Sequence, residues 1–64
     1  MIILTEHAKI RMAEKAITCE QIKRAIKQGA TVKQTDGFLA VYAYLEVAYA
    51  VRDGKYIIKT VKVR

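Results

Sequence analysis

Apolar residues recur along this chain with two different periods, and the change falls near residue 30. In the first half, at 100° per residue, Ala8, Ile10, Met12, Ala13 and Ala16 fall on one broad face. That predicts a helix over about 6–16 with Thr5 as its N-cap. His7, Arg11, Glu14 and Lys15 fall together on the opposite arc, so His7 and Arg11 stand one turn apart, away from the most apolar side. Lys9 lies in the apolar sector and has to reach out of it with its charged end. The second helix carries firmer signals. Thr18 and Gln21 form a T-x-x-Q capping box, and Ile17 and Ile22 are spaced as a hydrophobic staple. Ile22, Ala25 and Ile26 make the stripe to be buried, Lys23, Arg24 and Lys27 face outward, and Gly29 is expected to stop the helix in a left-handed conformation.

From Thr31 onward the period is two. The pairs Asp36-Gly37 and Asp53-Gly54, each flanked by β-formers, predict two hairpin turns of type I′. The run FLAVYAYLEVAYAV between them, residues 38–51, is too long for an ordinary strand and is expected to bend near 44–46. The last strand is KYIIKTVKV, and residues 2–4, IIL, form a short first strand or a packing arm. A two-residue turn at Asp53-Gly54 pairs Arg52 with Lys55 and Val51 with Tyr56. One face then holds Val47, Tyr49, Val51, Tyr56, Ile58 and Thr60, and the other holds Ala48, Ala50, Arg52, Lys55, Ile57, Lys59 and Val61. The first is bulkier and is expected to meet the helices. Helices followed by strands indicate an α+β domain: two N-terminal helices on one face of a three- or four-stranded antiparallel sheet.

With 64 residues the chain is one domain, 1–64, with a thin core and no room for a deep pocket. Hydrophobic residues make up 53%, which argues against disorder. Twelve Lys and Arg against six Asp and Glu give +6, a field that attracts polyanions, RNA or DNA first, although it also serves solubility or an acidic protein partner. The single cysteine, Cys19, cannot form an internal disulfide. It is a small filler near a helix start, or a thiol activated there. The opening MIILTEHAKIR does not read as a secretory leader, and no apolar run suits a membrane span, so a cytoplasmic setting is expected.

No Cys and His cluster, no paired acids, no phosphate-cradling glycine loop and no serine are present, so no metal or cofactor is expected. One His, many cations and a few hydroxyls remain. They suit metal-free cleavage of RNA through its own 2′-hydroxyl, where the substrate brings the nucleophile. His7 would carry the proton as general acid or base. Arg11 would hold the scissile phosphate through paired N–H donors, with Lys59, Lys62 or Arg64 adding charge and Thr60 a hydrogen bond.

HAKIRMAEKAIT, residues 7–18, with EQIKRAI after it and Lys59-Thr60-Val61 near the end, resembles a prokaryotic family of small domains of unknown function. That family's first helix reads roughly His-Ala-x-x-Arg-Met-x-x-Arg-x-Ile, its second begins with a Ser or Thr and an acidic turn, and its last strand carries a Thr. The family in turn looks like a minimal relative of the RelE and BrnT toxins, which implies a RelE-like fold, ribonuclease activity and an acidic antitoxin as partner. On that resemblance the site residues fall on His7, Arg11 and Thr60. The chain departs from the family pattern where Lys15 stands for the second Arg, which keeps the charge but loses the planar fork, and where Ala16 replaces the usual Gly.

Plainer readings stand beside these. His7 can bond a backbone group, Arg11 can pair with Glu14, Glu6 or the C-terminus, and Thr60 can be an ordinary strand residue. The lysines of the second helix can be a solvated face. Tyr42, Tyr44, Tyr49 and Tyr56 can stack on bases where exposed or pack where buried. Three functions are therefore expected in order: a toxin-like ribonuclease or close relative acting on RNA, with Lys15, Lys59, Lys62 and Arg64 as RNA contacts; a non-catalytic nucleic-acid-binding module; and a homodimer built through the Ala48, Ala50, Ile57 sheet face.

Overall fold

The computed structural model describes residues 1–64 as β1 (Ile2–Leu4), α1 (Glu6–Lys15), α2 (Cys19–Gln28), β2 (Ala30–Gln34), β3 (Gly37–Tyr42), β4 (Leu45–Arg52) and β5 (Lys55–Val63). The five strands form one sheet in the order β1-β5-β4-β3-β2. β1 runs parallel to β5 and the other pairs are antiparallel, so the sheet is mixed and has more strands than the three or four expected. The residues 2–4 are thus a paired edge strand, with Ile3 opposite Ile57.

Both helices lie on one face of the sheet. α1 packs over β5, and α2 packs over β3 and β4. Ala8, Ile17, Ile22 and Ala25 from the helical layer meet Ala40, Leu45, Val47, Tyr49, Ile58 and Val61 from the strands. The opposite face carries no covering layer. Cross-strand register places Val32, Leu39, Ala48, Ala50, Ile57 and Ile3 across it, with Arg52, Lys55 and Lys62 at its margins.

α2 forms as its sequence dictates. The Gln21 amide nitrogen donates to Thr18 Oγ1 at 3.2 Å, and the Thr18 amide nitrogen donates to Gln21 Oε1 at 2.8 Å, closing the capping box. Ile17 and Ile22 are both buried beside it. Gly29 ends the helix in an extended conformation, φ −79° and ψ 173°, rather than a left-handed one. Its glycine is demanded by crowding: a Cβ there would lie 2.5 Å from the carbonyl oxygens of both Ala25 and Val41.

α1 starts where expected, with Thr5 Oγ1 accepting from the Ala8 amide at 3.1 Å, but its rotation differs. Ala8 is buried and Met12 packs against the core, while Ile10 is 55% exposed and Ala13 is exposed. The inward stripe is therefore one residue per turn, and the half-buried Arg11 lies on its flank rather than opposite it. The single-residue joint at Thr5 sets this rotation. Its hydroxyl also donates to the Ile58 carbonyl at 2.8 Å, which ties the start of the helix to β5.

The Asp53-Gly54 turn has positive φ at both residues, 51° and 74°, as type I′ requires. The first hairpin differs. Gln34 pairs with Gly37, so the turn is Thr35-Asp36 and Gly37 belongs to β3. At φ 145°, with a Cβ due 2.3 Å from the Tyr49 carbonyl oxygen, this position admits only glycine without a backbone shift.

β5 pairs as expected from Lys55 to Ile58 and then slips. Tyr49 lies opposite Ile58 but Ala48 lies opposite Thr60, leaving Lys59 as an extra, bulged residue. Beyond it the faces exchange. Val61 points into the core with no exposed surface, and Thr60 moves to the uncovered face. The expected placement of Thr60 beneath the helices is thereby overturned.

Candidate nucleic-acid interface

The outer face of α2 carries Lys23, Arg24 and Lys27, because burial of Ile22, Ala25 and Ile26 turns these positions outward. None of the three takes part in a hydrogen bond or ion pair; the two ion pairs of the molecule are Arg11–Glu14 and Arg64–Glu46. They line a wholly polar hollow of about 290 Å³ with Glu20 and Gln28.

Two further hollows flank this ridge, and each contains tyrosine. On one side Lys23, Ile26 and Lys27 meet Met1, Ile2 and Tyr56 around a space of about 440 Å³. On the other side Gln21 and Arg24 meet the β3–β4 turn, Tyr42, Ala43, Tyr44 and Leu45, around about 140 Å³. Tyr44 is 53% exposed, and its hydroxyl accepts from Gln21 Nε2 at 3.4 Å. Ala43, at the tip of that turn, holds a left-handed φ of 54°. A non-glycine residue there carries strain of about 1–3 kcal/mol, and such strain gathers at functional loops. A cationic ridge flanked by aromatic hollows suits single-stranded nucleic acid, whose phosphates follow the charge while unpaired bases stack on the rings.

His7, Arg11 and Thr60 do not share a hollow. His7 is exposed on the first turn of α1, and no hydrogen bond fixes its ring. Arg11 Nη1 bonds Glu14 Oε1 at 3.3 Å, the plainer of its two sequence readings. Thr60 lies across the sheet from both, in a hollow of about 280 Å³ with Gln34, Leu39, Glu46, Ala48 and Lys62.

Of the other cations expected to contact RNA, Arg64 Nε is committed to Glu46 Oε2 at 2.7 Å, and Lys59 Nζ donates to the Asp36 carbonyl. Lys15 and Lys62 are free but stand on different layers, at the end of α1 and on the uncovered sheet face. No three His, Cys, Asp or Glu side chains gather as a metal site. No helix is long and apolar enough to cross a membrane.

The sequence signals for the α2 ridge were the Lys23–Lys27 spacing of one turn beside Arg24, and tyrosines at alternate strand positions. What they lacked was the fold that brings Tyr56 and Tyr44 to opposite flanks of one helix.

The architecture is a two-layer α+β domain with a basic, tyrosine-flanked helix on its outer surface. The chain belongs to the family described as domain of unknown function (DUF4258), whose model matches residues 4–62. No curated protein and no solved structure matches it.

Proposed function

We infer that this protein is a small module that binds single-stranded RNA along the outer face of α2 without cleaving it. The observation that carries the reading is the uncommitted trio Lys23, Arg24 and Lys27 set between two tyrosine-lined hollows. Ion-paired cations would have to give up a partner to meet a phosphate; these three do not. Duplexes hide their bases in stacks, whereas a single strand can turn them into the flanking hollows. The small-domain family that the HAKIRM helix resembles looks in turn like a relative of the RelE and BrnT toxins, and that likeness is the support for RNA as the nucleic acid.

Binding is preferred to cleavage because cleavage through a 2′-hydroxyl needs a proton carrier and a phosphate anchor around one scissile bond. His7 and Arg11 lie one turn apart on α1, but Thr60 is on the other side of the sheet, and Arg11 is engaged by Glu14. The ribonuclease expected from the sequence thus loses its third member and part of its anchor.

Fluorescence anisotropy with a labelled ten-nucleotide single-stranded RNA tests the reading. The parent is expected to bind, and a Lys23→Gln, Arg24→Gln, Lys27→Gln triple variant to bind at least tenfold more weakly while keeping its circular dichroism spectrum. Equal affinity of the two proteins would refute it. The same RNA, incubated with the protein and a chelator and run on a gel, should stay whole. Cleavage that disappears in His7→Ala would restore the catalytic reading instead.

A further inference from the structure

The two edges of the sheet are not alike. β1 spans three residues, too short to template another strand well. β2 spans five, and all five are exposed. Proline and bulges, which commonly blunt such an edge, are missing: the chain has no proline, and β2 pairs with β3 without a slip. The pairing also dictates which main-chain groups the edge offers. Gln34 and Gly37 flank a two-residue turn and exchange hydrogen bonds, and bonded pairs then alternate, so Gln34, Val32 and Ala30 commit their groups to β3. Thr31 and Lys33 turn their N–H and C=O groups outward, and no turn, loop or cap bond of the fold uses them.

We propose that the free edge of β2 is an interface for a second copy of this chain, joined antiparallel about a two-fold axis through Val32. In that register Val32 lies opposite Val32, Thr31 opposite Lys33 and Ala30 opposite Gln34. Each outward-facing residue then meets an outward-facing residue, and each such pair exchanges both of its main-chain bonds. Two other two-fold registers keep these bonds in phase. One sets Lys33 against Lys33, where like charges repel; the other confines the overlap to residues 30–32. Only the register through Val32 uses the whole strand and keeps the lysines apart. It also joins the exposed Val32 of each copy, with Leu39 beside it, into one apolar stripe on the bare face. The match is to this chain's own sequence, so the occupant is a second copy rather than a foreign strand. An axis perpendicular to the sheet leaves both helical layers on one side, and the two α2 ridges then share a surface. The interface does not depend on RNA binding by α2.

Sedimentation equilibrium over a range of concentrations should show a reversible monomer–dimer equilibrium. Because each copy carries +6, association should strengthen as salt is raised, the opposite of RNA binding. Thr31 is the sharpest position to change, since it is exposed and lies outside the core. Thr31→Glu sets a carboxylate opposite each Lys33 and should lower the dimer Kd about fivefold, whereas Thr31→Lys sets like charges there and should raise it about fivefold. Gln34→Glu changes the net charge by the same unit as Thr31→Glu but faces Ala30, so it should shift Kd by less than about twofold. A chain that stays monomeric up to millimolar concentration overturns the proposal. So does a dimer whose Kd ignores Thr31, which joins through another surface. A dimer that Thr31→Glu and Gln34→Glu tighten equally answers to net charge rather than to register, and overturns it as well.

Discussion

Ala16 occupies a place that glycine would fill with less strain. It closes α1 at φ 56° and ψ 43°, with its amide bonded back to Met12 and Ala13. A side chain in that left-handed conformation costs about 1–2 kcal/mol. Glycine would release this but lose about 0.4–1 kcal/mol through the freedom of its unfolded chain. Relief wins, so Ala16→Gly should stabilise the fold by about 0.5–1 kcal/mol and raise Tm by a few degrees. Ala13→Gly, also exposed but inside the helix, should lower stability by about 1 kcal/mol. Thermal unfolding followed by circular dichroism measures both, and a shift of the same sign in the two variants would contradict the left-handed assignment. A tight joint near position 16 was legible, because a helix over about 6–16 leaves a single residue before the Thr18 cap. The roles of Gly29 and Gly37 were not. Both exist because another strand's carbonyl passes too close for a Cβ, and such a neighbour is invisible until the sheet is assembled.

At the scale of elements, local signals told most and pairing signals least. The capping box, the staple and the Asp53-Gly54 turn are contacts within a few residues, and each formed as the sequence indicated. The rotation of α1 was misread because Ile10 counts as apolar in any periodicity, yet the joint at Thr5 turns it to solvent. The bulge at Lys59 misled the site itself. A signal for it existed: an unbroken alternation from Tyr56 would bury Thr60 and Lys62, whereas a slip of one after Ile58 aligns Val61 and Val63 with the inward face. The apolar phase of the strand thus favours the bulge, and it carries Thr60 away from His7. Substitution can read this register. Val61→Thr should cost about 1–3 kcal/mol, because it buries a hydroxyl in the core. Thr60→Val should change stability by less than about 0.5 kcal/mol. Urea midpoints compare the two, and the reverse order would mean that β5 pairs without the bulge.

For the whole molecule the question is how a net charge of +6 is spread. Two cations are tied into ion pairs, Arg11 and Arg64, and Lys59 is held by a turn carbonyl, so much of the charge nominally close to the expected catalytic residues is already engaged. Arg52, Lys55 and Lys62 border the bare sheet face, away from the helices. The α2 trio is what remains in one place, and a binding surface made of three phosphate contacts has a measurable signature. Each phosphate neutralised on a single strand releases about 0.7 of a counterion, so three contacts give a slope of log K against log salt of about −2. Diffuse attraction by the whole +6 body would distribute the loss over all cations, and removing any one would matter little. A ridge of three predicts that Lys27→Gln alone flattens the slope by about 0.7, and that Lys62→Gln, on the far face, leaves it unchanged. Titrations of the labelled ten-nucleotide single-stranded RNA at several salt concentrations separate the cases. If Lys62→Gln and Lys27→Gln flatten the slope equally, the RNA is not confined to α2, and the charge acts as an unlocalised cloud rather than as a site.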